Sequence, residues 1–235
     1  GRGRFVEKYI APMRKVNLIM VLSLMAGLSL LQSCAVSSTV SAGSTYQNDT
    51  FSPRRMDQAG FAILPVTAGA DLEGYRRPFG DKLNQTATGL FKNVIPWDST
   101  MLLLNQADMV QDYQQLIKTY NETAILDQSI TRKLTETLQV EYLLYVRLGQ
   151  PEQSRDVGYN YLTGGISSTE TQAVSAFAKI WQSDGDVAWE GSATAKAVSG
   201  DYTYIAENHQ QQAEKVADAL IRAIAGVAFT DTAKP

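Results

Sequence analysis

The sequence predicts an α/β (α+β) fold: a mixed sheet of about five strands, ending in a C-terminal hairpin and packed by about four helices. Three observations lead there. Residues 141–149, EYLLYVRLG, are rich in Tyr, Leu and Val and are bounded by Gly149 and Pro151, as a buried strand is. Residues 171–182 and 187–198 flank Ser183-Asp184-Gly185-Asp186, and Asp-Gly between two alternating runs signals a hairpin with a tight primed turn. Ala213, Val216, Ala217, Leu220, Ile221 and Ile224 form a stripe at helical spacing, with Gly226 as terminator.

The remaining elements follow in chain order. Residues 59–66, AGFAILPV, read as a strand entering the core and ending at Pro65. Residues 67–80 hold three glycines and a proline and read as a loop. Asp81 is the expected cap of a helix reaching about Phe91, with Leu83, Ala87, Leu90 and Phe91 on one face. Val94-Ile95-Pro96 is a brief strand, and Asp98 or Ser99 caps the next helical region. Leu103, Ala107, Val110, Tyr113 and Ile117 keep helical spacing across 101–120, and Asp127 or Ser129 opens a short helix through Ile130, Leu134 and Leu138. In 187–198, Trp189, Gly191, Ala193, Ala195 and Ala197 alternate with Glu190, Ser192, Thr194 and Lys196, giving one polar face and one of small residues. Asp201 caps the last helix, and Ile205 joins its stripe.

Composition narrows the function classes. The 235 residues are 44% hydrophobic and 19% charged, which excludes a largely disordered chain. Lys+Arg total 21 against 24 Asp+Glu, so the basic excess that nucleic-acid phosphates require is missing. A single Cys and a single His rule out an internal disulfide and leave too few soft ligands for a zinc-type site. No cofactor is expected.

The N-terminal residues carry the strongest signal. Met13-Arg14-Lys15 is a basic start, residues 16–31 run VNLIMVLSLMAGLSLL, and Leu31-Gln32-Ser33-Cys34 closes the segment. A positive n-region, an apolar h-region and small residues before a cut describe a secretory signal, and a 16-residue run, apolar apart from Asn17, two serines and a glycine, falls short of the ~20 that span a bilayer. Met13 is read as the initiator and residues 1–12 as upstream of it. Leu-Gln-Ser-Cys resembles the lipobox of bacterial lipoproteins, with Leu31 at −3, Ser33 at −1 and Cys34 as the lipidated residue. That resemblance implies a diacylglyceryl thioether, cleavage before Cys34 and acylation of the new amine. Ala35 after the cysteine, rather than Asp, implies sorting to the outer membrane. Cleavage there leaves 202 residues with 16 basic and 23 acidic side chains, a net −7. Such a surface does not seek anionic headgroups, so palmitate-type acyl chains must supply the attachment.

The expected organisation is 1–33 leader, 34–58 lipidated cysteine and tether, 59–226 one α/β domain, and 227–235 tail. Residues 35–58 are Ser/Thr-rich with Gly43 and Pro53 and read as a flexible tether; a first edge strand over 37–46 is the alternative. Within the domain, FAILPV at 61–66, the stretch 107–149 and IWQSDGDVAWEGSATA at 180–195 resemble the TolB amino-terminal-like and curli-secretion-lipoprotein-like α/β domains. The resemblance implies a periplasm-facing lipoprotein that assembles, regulates or scaffolds an envelope machine, such as a secretion pore, a polysaccharide-export complex or a cell-wall complex. Its motifs are structural, and they assign no catalytic residue.

Chemistry-bearing residues are sparse. His209 is the one imidazole available to a Ser–His–Asp or Cys–His arrangement, and it sits at the edge of the last helix's apolar stripe, where a structural, partly buried role is expected. No G-x-S-x-G, S-x-x-K or phosphate-cradling loop accompanies it. Asp184-Gly185-Asp186 lacks the further carboxylates of a calcium loop. Trp181 and Trp189 are read as sheet packing or a partner-binding edge, and Arg76-Arg77 as solvated or an anion contact. A non-enzymatic protein is therefore expected, attached to the membrane through Cys34 and contacting an envelope protein or itself. The alternative is a lipoprotein that binds a small ligand or glycan, or hydrolyses one at converging carboxylates. Residues 150–170 read as a long connection, with Tyr159, Tyr161 and Leu162 as candidate contact residues. Strand extension through VGYNYL is the other reading.

Overall fold

The computed structural model describes residues 37–69, 72–160, 165–200 and 208–229. Cys34, Tyr161, Leu162, Asp201 and Ile205 lie outside them. The described residues form an α/β fold with a mixed sheet of eight strands and six helices. The strands are β1 (Ser37–Gln47), β2 (Phe61–Ile63), β3 (Thr67–Ala68), β4 (Val94–Ile95), β5 (Tyr142–Leu148), β6 (Glu152–Asn160), β7 (Gly165–Gln182) and β8 (Val187–Gly200). The helices are α1 (Pro53–Ala59), α2 (Glu73–Leu90), α3 (Trp97–Gln106), α4 (Val110–Thr123), α5 (Gln128–Leu138) and α6 (His209–Ile224).

The main path through the sheet is β1-β8-β7-β5-β2-β4, with β3 paired to β5 and β6 paired to β7. β2 is parallel to both β4 and β5, as the helical crossovers between them require, whereas β5, β7, β8 and β1 are joined antiparallel. Six of the seven β5 residues are buried, Arg147 being the exception, because helices cover both of its faces. On one face α1, α2 and α6 pack Met56, Phe79, Leu83, Val216, Leu220 and Ile224 against the sheet. On the other, α3, α4 and α5 bring Leu104, Leu116, Ile117, Leu134 and Leu138 onto Leu143, Tyr145 and Trp181.

Several expectations are corrected by local chemistry. The segment read as a tether forms β1, paired to β8 from Ser37↔Val198 to Gln47↔Trp189, and then α1, capped by the Ser52 hydroxyl. The edge-strand alternative is the one observed. α2 begins at Glu73, not after Asp81, and carries Pro78 inside it: burial of Phe79, Leu83 and Ala87 outweighs the lost backbone hydrogen bond. The helical region expected across 101–120 is two helices. Asp108 takes φ 58°, and the Met109 N–H donates to the Leu104 carbonyl at 2.8 Å, which stops α3 with a Schellman-type end. α3 itself begins at Trp97 behind Pro96, ahead of Asp98 and Ser99. Asp127 caps α5 as expected, accepting from the Ser129 and Ile130 N–H groups at 2.9 and 3.2 Å. α6 is capped at Asn208, whose side-chain Oδ1 accepts from the Gln211 N–H at 2.9 Å while the Gln211 side-chain Oε1 accepts from the Asn208 N–H at 3.1 Å.

The β7–β8 hairpin is present where expected, with a different turn. The Gln182 N–H donates to the Asp186 carbonyl and the Gly185 N–H to the Gln182 carbonyl, both at 2.9 Å, leaving a three-residue loop. Only Gly185 there takes positive φ, at 88°, whereas a two-residue type I′ turn would need it at Asp184 as well. Trp181 and Trp189 are both buried: Trp181 stacks on Tyr145 with ring centroids 5.0 Å apart and meets Tyr120 edge-on at 4.9 Å.

Candidate functional site

Residues 150–170 follow the second of the two readings, strand extension: the described part of the stretch is a strand pair and not a long connection. β6 runs antiparallel to the first half of β7 in unbroken register, from Glu152↔Ala173 to Asn160↔Gly165. β8 is described as far as Gly200, opposite Thr169, and residues 165–168 pair with β6; this antiparallel stretch of β6 and the first half of β7 is the arm. Residues 161–164, which join the two strands, lie outside the described residues.

Strand parity sets the arm's faces. Along β7, Val174, Ala176, Ala178 and Ile180 point into the core beneath α6. Ile166 has the same parity and therefore lies on the same face. Tyr159 is its cross-strand partner, and Val157, two residues earlier on β6, shares that face. Here the side chains are out in solvent: Val157 is 67% exposed, Tyr159 55% and Ile166 63%. The other large exposed hydrophobics, among them Tyr46, Leu90, Leu102, Ile125 and Val227, belong to five different parts of the chain. Behind the tip the arm is polar. Gln153 and Gln172 donate to the Glu170 carboxylate at 2.8 and 3.3 Å, and Arg155 stands directly opposite Glu170.

The register also locates the N-terminus of β1. Ser37 pairs with Val198, Val198 with Thr171, and Thr171 with Ser154, so Ser37 sits at the base of the arm. β1 runs parallel to β7, so its first described residue, Ser37, lies at the arm's end of the sheet.

The remaining candidates sit elsewhere. His209 is half-buried at the start of α6, 6.2 Å edge-on from the Tyr75 ring, and its Nε2 has no hydrogen-bond partner among the described residues. Arg76 pairs with Glu73 at 3.0 Å and Arg77 approaches Asp81 at 3.9 Å, all along the exposed side of α2. Among the described residues no three His, Cys, Asp or Glu side chains come together as metal ligands. The hollow beside α5 is open rather than deep; Glu136, Glu141, Arg132 and Ser183 line it, and Glu141 is engaged by Arg55 at 3.2 Å. On the sheet face opposite α6, Lys179 pairs with Glu190 at 2.9 Å between the Tyr120 and Phe177 rings. Burial there acts to lower the ammonium pKa, but hydrogen bonds to Tyr120 and Glu190 hold it above the ordinary lysine value. Tyr113 is pushed well above the ordinary tyrosine value, chiefly by burial, and its hydroxyl donates to the Pro65 carbonyl at 3.3 Å. Both arrangements fasten the core.

Of the expected contact residues, the structure places Tyr159 on the arm, while Tyr161 and Leu162 fall outside the described residues. Sequence reasoning missed Val157 and Ile166. The signal was present: Val157 and Tyr159 at i and i+2, and Gly164-Gly165 as a turn ahead of Ile166. Polar neighbours on both faces hid it.

No protein-family model matches the chain, and no curated protein matches it. Among solved structures it is similar to the PelC dodecamer from Paraburkholderia phytofirmans at 9% sequence identity, with 82% of this chain and all (100%) of that chain covered and a TM-score of 0.43. It is also similar to a point variant of that dodecamer at 10% identity, with coverage of 82% and 100% and a TM-score of 0.40. Likeness at this level transfers neither assembly nor function to this chain.

Proposed function

We propose that this chain is a lipid-anchored, non-enzymatic component of a bacterial envelope machine. Acyl chains on Cys34 hold it to the outer membrane facing the periplasm, the α/β body serves as scaffold, and the β6–β7 arm is its contact element. The observation that carries the reading is the sequence Leu31-Gln32-Ser33-Cys34 only three residues ahead of β1. Anchoring at Cys34 places the base of the arm, where Ser37 sits, beside the membrane. The α/β fold, with β2 parallel to β5 and an antiparallel β7–β8 hairpin, is in keeping with the TolB-like and curli-secretion-like resemblance. Contact with an envelope protein or a second copy would use the arm, since that is where apolar side chains meet solvent together.

Feeding labelled palmitate to cells that express the full chain tests the anchor. The protein is expected to take up label and fractionate with the outer membrane, and Cys34→Ser is expected to abolish both. A Cys34→Ser protein that still incorporates label and stays in the outer membrane would overturn the reading.

A further inference from the structure

We infer that β1 is a releasable latch: Ser37–Gly43 unzip from β8 while the chain stays fastened from Ser44 onward, and this moves the point from which the body hangs on its lipid anchor. The consequence for the anchor rests on the reading of Cys34 as the lipidated residue; the release itself does not. The strand is held almost by its backbone alone. Among the described strands its one neighbour is β8, and of its eleven side chains nine are exposed and none is buried. Ser38 and Val40 are half-buried: the Ser38 hydroxyl accepts from the Lys215 ammonium at 3.4 Å, and Val40 packs against the core. Ala42 and Gly43 are poor strand formers. β8 does not depend on β1. It pairs with β7 from Trp181↔Val187 to Thr169↔Gly200, and Ala193 and Ala195 are buried in the core that α6 completes. A segment with few buried apolar contacts opens well before the body it lies against.

The unzipping has a built-in stop. The register shifts between Ser44 and Tyr46, leaving Thr45 as a bulge residue, and the Ser44 and Thr45 hydroxyls both donate to the Glu190 carbonyl, at 3.1 and 3.3 Å. Beyond the bulge the Asn48 N–H donates to the Ala188 carbonyl at 2.9 Å, and Phe51 is buried edge-on to Tyr142 with ring centroids 6.2 Å apart. Docked, the chain has three residues from Cys34 to Ser37, a reach of at most about 10 Å, and the body is mounted by the arm's end of the sheet. Released, it has ten residues from Cys34 to Ser44, a reach of at most about 35 Å. The mounting point has then moved seven residues, about 24 Å, toward the β7–β8 hairpin. The body gains height above the bilayer and freedom to tilt, with its core unchanged. The Ser, Thr and Gly composition that reads as a tether serves both states, pairing with an edge when docked and forming a solvated coil when released.

The test uses the full lipidated chain on phosphatidylethanolamine–phosphatidylglycerol vesicles, treated briefly with subtilisin, which cuts only where several residues are extended and unpaired. Cleavage is expected within Ser37–Gly43, freeing a folded body whose new N-terminus lies in that stretch. Ser41→Cys with Thr194→Cys, directly opposite each other across the β1–β8 pair, closes the latch as a disulfide; acylation consumes the Cys34 thiol, so these two have only each other. Oxidised, this variant is expected to be cut there about tenfold more slowly, and a reductant to restore the rate. Equal rates in the two forms, or new N-termini only ahead of Ser37, would overturn the latch. Deuterium exchange on the unsubstituted chain is the second readout. The amides that β1 donates to β8 are expected to exchange about 100-fold faster than those that β8 donates to β7, and equal protection would also overturn the latch. Protein that fails to float with the vesicles would sink the anchor reading alone, because exchange still decides whether β1 opens.

Discussion

β7 belongs to two regions that obey opposite rules. From Val174 to Ile180 its core-facing side chains are buried under α6, and from Ala176 onward both flanks of the strand are paired. From Gly165 to Ser168 it pairs with β6, and Ile166 on the same face is solvent-exposed. One strand thus passes from scaffold to arm without a break in register. Val174, Ala176, Ala178 and Ile180 are accounted for by packing, whereas Val157, Tyr159 and Ile166 are largely exposed on one face of the arm, and exposed apolar side chains grouped together mark a contact surface.

Substitutions sharpen that contrast. Trp181→Ala removes a ring held between Tyr145 and Tyr120 and is expected to destabilise the body by about 3–5 kcal/mol, read as a fall in denaturation midpoint. Gly191→Ala would press a methyl group against the Gly43 carbonyl of β1 and the Trp189 ring, for roughly 1–3 kcal/mol, with β1 losing amide-exchange protection first. Gly185→Val forces a branched residue toward φ 88° and is expected to cost about 1 kcal/mol or more; an unchanged melting temperature would contradict the observed turn.

Asp127→Ala removes the α5 cap, a loss of about 1 kcal/mol. The hydrogen bond from the Ser129 hydroxyl, with those from the Ile130 and Ser129 N–H groups, holds the Asp127 carboxyl below its ordinary value. Its contribution is therefore fully present above the unfolded carboxylate range, about pH 4, and disappears as the pH falls through the lower folded value. The stability gap between wild type and Asp127→Ala should close in acid, and a gap that widens there would contradict the assignment. At the bottom of the scale, Val157→Ser and Ile166→Ser on the arm are expected to stay within about 0.5 kcal/mol of wild type in thermal melts.

The body was legible because its signals are strong and local. The apolar run at 142–148, the Asp-Gly turn and the α6 stripe each specify one element whatever surrounds them. What escaped is decided by partners far along the chain. Residues 37–47 look like a linker because Ser, Thr and Gly dominate; they become a strand only because β8 offers an edge 150 or so residues later. The arm was half-read: Tyr159 stood out as an aromatic, while Val157 and Ile166 were lost among polar residues that face solvent on both sides. Asp108 broke the helical region expected across 101–120 because spacing alone does not report a left-handed residue.

Whether the arm, rather than the body, makes the contact can be decided in living cells. A photoreactive residue placed at Tyr159 and, separately, at Asp186 reports on the two ends of the sheet. Adducts to protein are expected from position 159 and none from 186. Adducts from 186 with none from 159 would contradict the account.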